Sequence, residues 1–70
     1  MTEYKVGISS PPDRENLVAD IFIDRVQWVE INQDQDVLQV EFYAHPNGMP
    51  WRIPYDDAIR LLDEAKRALE

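Results

Sequence analysis

Cysteine is absent from this 70-residue chain. That excludes a disulfide framework, a catalytic thiolate and thiolate ligands for zinc, so any core must come from packing alone, and a reducing, cytoplasmic setting fits best. Glycine is nearly absent: Gly7 and Gly48 are the only two, too few for the Gly-rich cradle that holds nucleotide phosphates. The single histidine, His45, stands beside Pro46 in a turn-forming stretch, without the convergent partners that catalysis or metal binding needs. Basic residues are scarce as well. Seven Lys and Arg against fourteen Asp and Glu give a net charge of −7, a field that repels phosphate backbones and anionic lipid, so neither nucleic acid nor a membrane surface is an expected partner. No apolar run is long enough to span a bilayer, and the opening Met1-Thr2-Glu3-Tyr4-Lys5 lacks the pattern of an export signal. A basic protein partner fits the charge, which also serves as an ordinary solubility device.

What is present is a strand pattern followed by a helix pattern. Tyr4 to Ile8 alternates Tyr4, Val6 and Ile8 against Glu3, Lys5 and Gly7, the signature of a strand with one buried face. The stretch from Ser9 to Asn16, with Pro11 and Pro12, reads as a loop. Leu17 to Asp24 places Leu17, Ala19, Ile21 and Ile23 on one face. In Val26 to Asn32, Val29 and Ile31 share a face while Trp28 and Glu30 point the other way. An odd-length loop around Asp24-Arg25 would then set Ile21 near Val29. Val37 to Tyr43 buries Leu38, Val40 and Phe42. A four-residue loop, Gln33 to Asp36, would set Ile31 opposite Leu38 and Val29 opposite Val40. His45 to Pro50 is a turn, after which Trp51-Arg52-Ile53 could return as a short fifth edge strand, with Trp51 capping the core.

From Tyr55 the period becomes 3.6, with Ala58, Ile59, Leu61, Leu62, Ala65 and Leu69 on one arc. Asp56 and Asp57 open this helix and Lys66 and Arg67 close it, each the sign its dipole favours. Asp56 with Arg60 and Asp63 with Arg67 are i,i+4 pairs. The chain is thus expected to be one α+β domain, an antiparallel four-stranded β-meander with one C-terminal α-helix packed on one face. The expected core is Val6, Ile8, Ala19, Ile21, Val29, Ile31, Leu38, Val40, Phe42, Ile59, Leu62 and Leu69.

Chemistry-bearing patterns are few. Asn32, Asp34 and Asp36 match the first three ligand positions of a calcium loop, but Val37 stands where the turn wants Gly and Tyr43 where a bidentate Glu is needed. A solvated hairpin turn is expected there, and no metal or cofactor. Ser9 and Ser10 lack the strand-to-helix elbow of a serine nucleophile, and no carboxylate is forced into an apolar pocket by the pattern, so the chain is not expected to be an enzyme. The sheet face turned away from the helix is more informative. It is expected to project Phe22, Trp28 and Tyr43 among Asp20, Glu30 and Glu41. Such a face either binds a partner, the aromatics anchoring and the acids selecting a basic protein, or stabilises the sheet as cross-strand pairs.

The runs Arg14 to Ile21, Gln27 to Ile31, Val40 to Tyr43 and Pro46 to Trp51 resemble a group of short hypothetical bacterial proteins, over about Arg14 to Leu69. The resemblance implies a small bacterial cytoplasmic protein and brings no activity or site residues with it. In that group the first hairpin turn looks like Asp-Gly, where this chain has Asp24-Arg25. The leading functional expectation is an acidic protein-binding module that masks a basic partner, as immunity proteins and antitoxins do. One rival is a self-associating structural protein, a monomer or weak homodimer pairing through the outer aromatic face. A small enzyme or metal protein built on carboxylates and His45 is the other.

Overall fold

The computed structural model describes residues 2–13, 16–33 and 36–70. Along them run β1 (Tyr4–Ser9), β2 (Val18–Ile23), β3 (Val26–Asn32), β4 (Gln39–Phe42) and α1 (Tyr55–Leu69). The strands form one antiparallel meander in the order β1-β2-β3-β4, and the helix packs against β1 and β2. Alternation turns Ala19, Ile21 and Ile23 toward the helix, where Leu61 and Ala65, one helical turn apart, join them in the core. The small side chains of Ala19 and Ala65, both fully buried, let the helix lie close on β2.

The Tyr4 hydroxyl ties the sheet edge to the helix by donating to Asp57 Oδ2 at 2.7 Å, with the Arg60 guanidinium 5.8 Å from the ring centre. This hydrogen bond, above all, pushes the Tyr4 phenol above its ordinary value. Burial and the Asp57 charge act in the same sense, and the Arg60 charge opposes them. The helix starts after Pro54 with no side-chain cap, its first bond running from the Ala58 N–H to the Pro54 carbonyl at 3.0 Å. Asp63 pairs with Arg67 as expected, at 3.1 Å, whereas Arg60 turns to Asp57 rather than Asp56, at 3.5 Å.

Both hairpins depart from expectation. In the first, Ile21 does face Val29, but the loop has two residues, because a β-bulge between Ile21 and Phe22 brings Ile23 opposite Val26. Asp24 and Arg25 both adopt positive φ, 51° and 71°, the sign pattern of a type I′ turn, whose twist matches that of the flanking strands. Asp24 also locks β1: the Glu3 N–H donates to Asp24 Oδ1 at 2.8 Å, and the Asp24 N–H donates to the Glu3 carbonyl at 2.8 Å. In the second hairpin Ile31 faces Val40 and Val29 faces Phe42, two residues further along than expected. Asp34 and Gln35, in the expected loop, lie outside the described residues. The fifth strand does not form. Residues 51–54 make no strand pairing, although Trp51 and Ile53 do pack against the core.

Of the expected core, Ala19, Ile21, Val29 and Ile31 are buried, and Val6, Leu62 and Leu69 pack partly buried against them. Ile8, Leu38, Val40, Phe42 and Ile59 are instead exposed. A helix about 10 Å across covers roughly two strands spaced about 4.8 Å apart, so a single helix seated on β1 and β2 leaves the β4 side of its own face bare. Among the described residues no helix is long and apolar enough to cross a membrane.

Candidate functional site

The register settles where the expected site residues stand. Gly7, Asp20, Glu30 and Glu41 are successive partners across the four strands, so the three carboxylates form one row on the face opposite the helix. That row is hydrogen-bonded to its neighbours in the sheet. Asp20 accepts from Gln27 Nε2 at 2.8 Å and from Ser9 Oγ at 3.3 Å, and the fully buried Asn32 amide donates to Glu41 Oε1 at 3.1 Å and to Glu30 Oε2 at 3.4 Å. Glu30 itself is buried. Phe22, half-buried on the same face, lines a cavity of about 290 Å³ with Glu3, Lys5 and Arg25. Tyr43, one residue beyond β4, is partly exposed, and its carbonyl accepts the Trp51 indole N–H at 2.8 Å.

Trp28 is not on this face. It lies in the core cluster, only 6% exposed, its ring centre 6.2 Å from that of Phe42 in an edge-to-face arrangement. The bulge is the cause. Trp28 has no partner in the β2 register, and an extra residue in one strand breaks strict alternation, so Trp28 and its neighbour Val29 both reach the helix side. Trp28 is therefore absent from the aromatic outer face expected from the sequence.

The remaining chemistry-bearing residues are engaged locally. His45 Nδ1 accepts the Asn47 N–H at 3.1 Å, and its ring lies 4.5 Å from that of Trp51. The turn below it closes by a bond from the Gly48 N–H to the His45 carbonyl at 3.0 Å, with Gly48 at φ 77°, a conformation glycine adopts without strain. Of the calcium-like triplet, Asn32 is spent on Glu30 and Glu41, and Asp34 lies outside the described residues. Among the described residues no group of three His, Asp or Glu side chains is arranged to hold a metal ion.

The feature missed in the sequence is on the helix side. Between β4 and α1 runs an apolar groove of about 310 Å³, floored by Ile31, Leu38 and Val40, walled by Ile59 and Leu62 of the helix, and edged by Asp63 and Lys66. Leu38 and Val40 are each 41% exposed, Ile59 50%, and Phe42 at the end of β4 67%. Four exposed large apolar side chains on neighbouring elements form a patch, which is informative where a single exposed leucine is not. β4 is also the last strand of the sheet, and all four of its residues are exposed. The Tyr43 N–H donates to the Trp28 carbonyl at 2.9 Å. In an antiparallel ladder hydrogen-bonded pairs alternate with non-bonded ones. With Glu41 opposite Glu30 and Gln39 opposite Asn32, the residues in between, Leu38, Val40 and Phe42, turn their N–H and C=O groups to the open edge.

The sequence signal that points to this groove is arithmetic: four strands followed by one helix leave more apolar sheet than the helix can cover. No protein-family model matches the chain, and no curated protein or solved structure is significantly similar to it.

Proposed function

We propose that the chain is a protein-binding module that acts by docking rather than by catalysis, and that its docking site is the groove between β4 and α1. The observation that carries this reading is the exposed apolar lining beside an open strand edge, since a partner strand laid along such an edge gains backbone hydrogen bonds while its side chains fill the groove. The row of Asp20, Glu30 and Glu41, offered by the sequence as the binding face, is tied up in hydrogen bonds that hold the sheet. The net charge of −7 would still speed the approach of a basic partner over distance. The groove selects by shape and apolar contact, having one acid and one base on its rim. Engagement of His45 with Asn47 and Trp51 also favours docking over chemistry. The cytoplasmic setting expected from the lack of cysteine belongs to the same reading.

The test compares what the chain and its Ile59→Asp variant retain from a host extract, read quantitatively by mass spectrometry. Ile59 is half exposed, so the substitution should leave the fold intact, which circular dichroism checks. Proteins held by the parent, copies of the chain included, should be lost from the variant. Identical retention by the two would overturn the groove as the docking site.

A further inference from the structure

Resting on the groove as a docking site, we infer that its occupant is a second copy of this chain, paired β4 to β4 across a two-fold axis that passes through Val40. The open edge is the starting point. An uncovered strand edge normally carries a lysine, a proline or a bulge that keeps other strands away. Gln39-Val40-Glu41-Phe42 has none of these: the strand is short and its single charge, Glu41, stands in the row on the face opposite the helix, and all four residues are exposed. Its free backbone groups belong to Leu38, Val40 and Phe42, every second residue, the spacing an antiparallel partner requires.

Self-pairing must keep residues of one face opposite residues of the same face, so the axis passes through a residue and not between two. Centring on Glu41 would set that carboxylate directly against its own copy, which is unfavourable. Centring on Val40 sets Glu41 opposite the neutral Gln39 of the second copy. On the helix side it places Val40 against Val40 and Leu38 against Phe42, so the exposed apolar residues of β4 cover one another. In this register the outward N–H and C=O groups of Leu38, Val40 and Phe42 meet their counterparts as hydrogen-bonded pairs. The groove rim suits a second copy too, because Asp63 pairs with Arg67 and stands beside Lys66, so the rim itself carries no excess of negative charge although each chain carries −7 overall. The total surface is 5220 Å², of which a standard interface of about 800 Å² per partner would take roughly a seventh. An edge of four residues and one groove reach no further than that, so association should be weak and should tighten with salt, which screens the repulsion of like-charged copies.

Sedimentation equilibrium of the full chain over a dilution series, at low and high salt, tests this. A concentration-dependent dimer that strengthens with salt is expected. Val40→Lys would place two cations against each other on the axis and should weaken association on the order of a hundred-fold. Gln39→Lys should do the reverse. It sets an ammonium opposite the Glu41 carboxylate of the second copy, once on each side of the axis, and should tighten the dimer roughly two- to thirty-fold. Glu64→Gln, which changes net charge equally on the exposed helix surface, should leave association unchanged at high salt, where the net-charge repulsion is screened. If Val40→Lys does not fold, the Gln39→Lys arm decides alone. A chain that stays monomeric at every concentration and salt overturns the inference. So does a dimer indifferent to both β4 substitutions. In either case the docking reading survives only if Ile59→Asp still abolishes capture of a foreign protein, which separates the two failures.

Discussion

At the residue scale, single positions carry departures from ideal geometry whose costs can be measured. Arg25 is the clearest. The second central residue of a type I′ turn is usually glycine, because a left-handed conformation costs any residue with a Cβ about 1–2 kcal/mol, and Arg25 sits there at φ 71°. Arg25→Gly should therefore stabilise the chain by about 0.5–1 kcal/mol after allowing for the freer unfolded state. In a domain of this size that raises the melting temperature by about 2–8 °C, and a variant that melts below the parent would show that Arg25 is held by contacts worth more than its strain. Asp24 tolerates the same conformation better, since its side chain accepts the Glu3 N–H. Trp28 is the other decisive residue. The strand-three pattern places it opposite Val29, and only the bulge turns it inward, because alternation holds as long as no extra residue interrupts the ladder.

At the element scale, the helix presents two kinds of apolar side chain that sequence periodicity places on one arc. Leu61 and Ala65 are buried against β2, while Ile59 stands half exposed over the groove. The difference should appear in stability. Leu61→Ala, emptying a site 1% exposed, should cost about 2–5 kcal/mol, whereas Ile59→Ala should change stability by no more than about 0.5 kcal/mol. Urea unfolding of the two variants measures this directly, and equal losses would mean that the helix sits over β3 and β4 instead. The hairpins teach a related lesson. The apolar pattern of β4 correctly put Leu38, Val40 and Phe42 on one face, but shifting the register by two residues leaves every side chain on its face. Pairing Ile31 with Leu38 or with Val40 was therefore equally consistent with the pattern, and the observed pairing is with Val40.

At the scale of the whole molecule, the sheet and the helix are joined by the core and by a polar tie from Tyr4 to Asp57. Because the phenol is held above its usual 10.0, the folded chain binds that proton more tightly than the unfolded chain does. Its contribution is complete below pH 10.0 and is lost as pH rises through the raised value. The difference in melting temperature between the parent and Tyr4→Phe should accordingly shrink as the pH is taken above 10.0, and a difference that stays constant would show that the tie does not depend on the phenol proton. The division between sequence and tertiary structure follows from the range of the forces involved. The elements, their order, the α+β meander and the polarity of the helix were legible in the chain itself, because the periods of 2 and 3.6, the turn residues and the end charges all act between neighbours. Absence of a cysteine framework and scarcity of glycine and of positive charge narrowed the chemistry in the same way. The inward turn of Trp28, the burial of Glu30 and Asn32, the register of β4 and the bare groove beside it were decided only in three dimensions. Each depends on how many strands one helix can cover and on where a single extra residue enters a ladder, and periodicity along the chain carries neither quantity.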